Sequence, residues 1–155
     1  MSRALKTIVI GGLVAGTLDM TAACVQVWTR GTLPFFDVVT RVSLFIASGA
    51  IGPAAFDGGK KTVAIGLAFH YLIATVATIV FYLASRKLRF LIDWFIPMGL
   101  LYGVFVYLFM NFVVVPNSKI VQRTVPTLSV RLVAMLIIMF CIGLPISLIV
   151  RRFAK

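Results

Sequence analysis

Glutamate is absent from the chain, and the only carboxylate side chains are Asp19, Asp37, Asp57 and Asp93. There is one histidine, His70, and there are two cysteines, Cys24 and Cys141. Each shortage excludes some chemistry. A single histidine cannot supply both axial ligands of a bis-histidine haem. One His with one Asp is too few ligands for a closed metal site. The cysteines lie inside apolar runs with no CxxC spacing, and read as small buried hydrophobes rather than a disulfide or ligand pair. Ser48, in ASGAIG, lacks the GxSxG elbow of a hydrolase, and no glycine loop follows a strand as a nucleotide site requires. The sequence therefore offers no catalytic set, no cofactor and no metal, and we read it as a non-enzyme.

Charge is scarce as well. Of 155 residues, 12% are charged and 61% hydrophobic, with a mean hydropathy of +1.10. A soluble domain is about a quarter charged, so the solvent for this chain is a bilayer. The length suits one membrane domain, residues 1–155. The net charge of +11 would suggest nucleic acid in a soluble protein. Here the basic residues fall at the ends of apolar runs, which points instead to anionic lipid head groups. No aromatic and basic groove pattern for nucleic acid is present.

What is there is four long apolar runs. They predict spans at about residues 7–29, 62–85, 95–115 and 128–150, each long enough to cross. The N-terminal run is too long for a signal peptide and reads as an uncleaved first span. Residues 34–52 are too short to cross and too apolar for a solvated loop, and carry Asp37 and Arg41 at a spacing that could pair on one helix face. We read a re-entrant or interfacial helix there, broken by Gly52-Pro53 and Asp57-Gly58-Gly59. The expected fold class is all-α: four transmembrane helices plus this short one between the first and second spans.

The apolar runs are interrupted in a regular way. Gly12, Gly16, Asp19 and Ala23 share one face of the first span. Gly66, His70, Ala74 and Ala77 share one on the second, and Gly99, Gly103, Tyr107 and Asn111 one on the third. Met135, Met139, Gly143 and Ser147 share a face of the fourth. Small-residue stripes let helices approach closely. Three of the stripes carry one strongly polar residue each: Asp19, His70 and Asn111. By helical rise, Asp19 lies about 18 Å into its span. His70 and Asn111 lie roughly 12 and 7 Å from the opposite face.

One pocket could therefore hold all three, with Tyr71, Tyr102 and Tyr107 as further donors. Asp57 lies in the irregular segment that would roof it. Asp19 should face inward, within hydrogen-bond reach, direct or through one water, of His70, Asn111 or a tyrosine. Two readings stand side by side: a site for a proton, cation or small polar ligand, or interhelical glue worth about 1 kcal/mol.

The segments AGTLD, IASGAIGPAAFDGG, IGLAFHYLIA and LYGVFVYLFMNFVVVP are together similar to a family of small uncharacterised bacterial inner-membrane proteins. The resemblance covers residues 11–116, and CIGLPISL more weakly. It implies four spans with an Asp, a GG turn, a His and an MN pair in these places. It implies no activity. Relatives often carry a further His in the fourth span, where this chain reads IIMFCIG.

Two function classes lead, with a membrane enzyme acting on lipid a third that lacks catalytic residues. One is a small-solute, ion or proton-binding membrane protein, permease-like. The other is a non-catalytic accessory subunit of a larger membrane complex, or a self-assembled oligomer. The stripes discriminate: if all are used within one bundle, the chain buries them unaided. Arg3, Lys6, Arg86, Lys87, Arg89, Arg151, Arg152 and Lys155 lie in short segments on the terminal side. The positive-inside rule then places both termini in the cytoplasm of a bacterial inner membrane.

Overall fold

The computed structural model describes residues 2–31, 33–120 and 127–154. Among them every regular element is helical. Helix α1 (Arg3–Trp28) is capped by Ser2, whose Oγ accepts from the Leu5 N–H at 3.3 Å. Helix α2 (Phe35–Ile51) starts after Pro34 and ends at Gly52, whose φ of 89° few other residues would adopt. A 3₁₀ turn (Pro53–Asp57) leads into α3 (Gly59–Lys87). The one-turn α4 (Phe90–Asp93) precedes α5 (Phe95–Val114), whose last turn is π-helical. Helix α6 (Leu128–Phe153) carries a second π-turn, Met139–Gly143, in its middle.

The helices α1, α3, α5 and α6 are long and apolar enough to cross a membrane. The chain is an all-α, multi-pass membrane protein. At 26 residues, α1 is about 39 Å long, beyond the roughly 30 Å of a hydrocarbon core. The four expected spans correspond to these helices, each displaced by a few residues at its ends. The end of the expected polar connection, 121–126, lies outside the described residues.

Helix α2 has 17 residues and is about 25 Å long. Both of its ends join the same end of the bundle. Its start follows the last turn of α1. Near its finish, the Gly49 carbonyl accepts from the Lys119 N–H at 2.9 Å, just beyond α5. Asp37 and Arg41 are both exposed and form no ion pair with each other among the described residues. The pairing that their spacing allowed is not made, as befits two exposed charges whose ion pair would gain little in water.

Two apolar clusters hold the bundle. The larger joins Ala15 of α1, Ala77 and Phe81 of α3, Val106 of α5, and Ile142, Ile146 and Val150 of α6. The smaller joins Met20 and Cys24 of α1 to Val38 of α2, with Leu67 of α3 against it. Neighbouring spans run antiparallel, as short connections require.

The glycine stripes are the contact surfaces. A Cβ on Gly12 would strike Thr75, and one on Gly16 would lie 2.8 Å from the Tyr71 ring. On the other side of the bundle, a Cβ on Gly99 would meet Ser147, and one on Gly103 would meet the Met139 backbone. Gly66 faces the backbone of Ser43, so it brings α2 onto α3. All five glycines predicted to pack do so within this chain.

Buried hydroxyls are satisfied locally. Thr7, Ser43, Ser48, Thr78, Ser85 and Ser147 each donate to a carbonyl three or four residues back on the same helix. Polar groups that bond within their own helix can pass through an apolar bundle without a partner on another helix.

Candidate functional site

Asp19 lies where the two apolar clusters meet, with Ala15 in one and Met20 and Cys24 in the other. It is partly buried. Two side chains from other helices lie within electrostatic reach of its carboxylate: His70 of α3 and Cys141 in the π-turn of α6. The close packing of Gly16 makes this possible. With no side chain at that position, α3 comes near enough for His70 Nε2 to lie 2.8 Å from the Gly16 carbonyl oxygen.

A carbonyl oxygen can only accept, so Nε2 carries the proton in that bond. Nδ1 makes no hydrogen bond among the described residues. Next to it, Tyr71 OH and Thr17 Oγ1 lie 3.0 Å apart and close a second α1–α3 contact. The Tyr71 and His70 rings meet edge to face at 5.6 Å, which fixes the imidazole plane.

The expected constellation is met in part. Asp19 and His70 come together as the two stripes implied. The carboxylate makes no direct hydrogen bond among the described residues. His70 Nε2 is committed to the Gly16 carbonyl, and the Tyr71 hydroxyl shares a hydrogen bond with Thr17 Oγ1 in which either can donate.

Asn111 does not join the pair. Its side chain is exposed, and Nδ2 donates to the Tyr107 carbonyl one turn back, at 2.9 Å. The physical reason is local: the amide is satisfied by its own helix, one turn back, and needs no partner on another span. Tyr107 is partly buried and Asp57 is exposed, and neither bonds to Asp19 or His70. Tyr102 serves the bundle elsewhere, donating to the Ala77 carbonyl at 2.6 Å and tying α5 to α3.

Cys141, expected as a small packing residue, lies within electrostatic reach of Asp19. Nothing in the sequence marks its role. Pro145 is the one local hint that the helix around it would depart from regular geometry. No group of three or more His, Cys, Asp or Glu that could hold a metal is present among the described residues.

The site amounts to one carboxylate, one imidazole with a free nitrogen, one thiol and a widened helical turn. Such a set can exchange a proton or hold a small cation or polar molecule. No protein-family model matches the chain, and no curated protein or solved structure matches it.

Proposed function

We propose that this protein binds or passes a proton, small cation or small polar solute at the Asp19–His70 site. The observation that carries this reading is a partly buried carboxylate within a span, in electrostatic reach of an imidazole on another span, with no hydrogen bond to it among the described residues. An ionisable residue within a span is costly and is a functional-site candidate by default. The pair has two arrangements without net charge: a neutral acid beside neutral imidazole, or carboxylate beside imidazolium. A proton moving between them, or a cation replacing it, changes the local field at little cost in total charge. The π-turn at Met139–Gly143 suits this reading too, since such turns recur at functional sites.

In this reading the protein lies in a bacterial inner membrane, similar to the small four-span family its motifs resemble. Both termini are cytoplasmic, and α2 lies along or dips into the outer interface. The accessory-subunit reading receives less support, because the stripes that would have called for a partner are used inside the chain.

The test uses purified protein in liposomes containing a pH-sensitive dye. Wild type is expected to carry protons or couple them to a cation. Asp19→Asn keeps shape and should fold, with stability within about 1 kcal/mol of wild type, yet lose the flux. A folded Asp19→Asn protein with undiminished flux would sink the proposal. Absence of flux in both, for protons and common cations alike, would favour the accessory reading.

A further inference from the structure

At the end of the bundle that carries the termini, a cleft of about 600 Å³ opens between the start of α5 and the end of α6. Phe95, Leu148, Ile149, Arg151 and Arg152 line it. Three apolar residues make the floor, and two guanidinium groups stand at the mouth. The guanidinium carbon of Arg151 sits 3.9 Å from the centroid of the Phe95 ring. That contact uses the charge and leaves the N–H donors uncommitted. Neither arginine pairs with a carboxylate among the described residues.

We propose that this cleft is a binding site for an anionic phospholipid. The phosphodiester lies between Arg151 and Arg152, and the upper part of an acyl chain lies along Phe95, Leu148 and Ile149. The charge pattern selects the ligand. Two arginines side by side match a phosphate, which accepts forked hydrogen bonds from guanidinium. The floor excludes a simple soluble anion as the best fit, because it would leave three apolar side chains uncovered. The position suits a lipid as well: the cleft lies at the ends of two helices long and apolar enough to cross a membrane, where head groups would meet them. The surrounding potential agrees. Arg3, Lys6, Arg86, Lys87 and Arg89 occupy the same end, with Asp93 the sole acid in the sequence there. Cationic clefts between spans at such an end are the usual geometry for acidic head groups.

The test is thermal unfolding of the intact protein in a neutral detergent with added lipid. Phosphatidylglycerol should raise the midpoint by about 5 °C at saturation, and phosphatidylcholine should not. The Arg151→Gln/Arg152→Gln variant should lose that shift. Lys60→Gln/Lys61→Gln, at the opposite end, should retain it. Inorganic phosphate at millimolar concentration should do nothing. Several results would overturn the proposal: no shift with phosphatidylglycerol, an equal shift with phosphatidylcholine, or one reproduced by phosphate. Equal losses in both lysine and arginine variants would do the same, by revealing a diffuse charge effect. If the double arginine variant does not fold, Arg152→Gln alone decides, since that side chain is exposed. A folded Arg152→Gln protein should show a reduced shift, and an undiminished one would overturn the assignment.

Discussion

Gly66 is the residue on which the seat of α2 depends. A Cβ there would overlap the carbonyl of Ser43, and a backbone atom cannot turn aside as a side chain can. Gly66→Ala should therefore push α2 away from α3 and destabilise the protein by about 1–3 kcal/mol, read as a lower unfolding midpoint in detergent. Gly31→Ala is the control. The nearest atom to a Cβ there is the Val27 carbonyl oxygen at 3.5 Å, so its effect should stay within about 0.5 kcal/mol. These packing glycines were legible in the sequence, because a stripe at steps of three and four is a property of the helix alone. Their partners were not. That Gly12 meets Thr75 and Gly66 meets Ser43 depends on how the helices turn about their axes, which no single helix encodes.

Among the elements, the two π-turns are departures from regular helix that the sequence did not announce. Asn111 falls in one and Cys141 in the other. A π-turn is one extra residue absorbed locally, closed here by the Leu144 N–H reaching back five residues to Met139. The flanking turns of α6 keep their faces. Deleting Phe140, whose side chain is 55% exposed, should therefore let the segment revert to plain α-helix without disturbing the contacts of Gly103 or Ile146. The protein should fold, with Cys141 displaced relative to Asp19. Deleting Leu132 from the regular part offers the contrast. It would rotate one half of the helix against the other by about 100° and should abolish folding. The yield and unfolding midpoint of the two variants check this. An unfolded Phe140 deletion beside a folded Leu132 deletion would refute it.

On the scale of the molecule, class and span count were plain from composition, because apolar runs of this length have no other stable use. Residues 34–52 were also legible as a helix too short to cross, since length limits what a helix can do in a bilayer. Of the three polar residues expected together, Asp19 and His70 lie within electrostatic reach of each other, while Asn111 is exposed and bonded within its own helix. Orientation rests on the basic segments. Reporter fusions at Lys155 and within residues 86–89 should both report the cytoplasm. Periplasmic activity at both would invert the topology.

The bond between Lys119 and Gly49 bears on how the molecule can move. It occupies one of the carbonyls that the last turn of α2 would otherwise leave open. Helix α2 is thereby fastened at both ends, to α1 by the chain and to the segment after α5 by this bond, and pressed at its middle onto Gly66. An element held at three points is not a hinged flap. Passage to Asp19 from that end would proceed by shear, a small sliding of α2 and α5 together past α3, with the α2 helix carried as part of the wall.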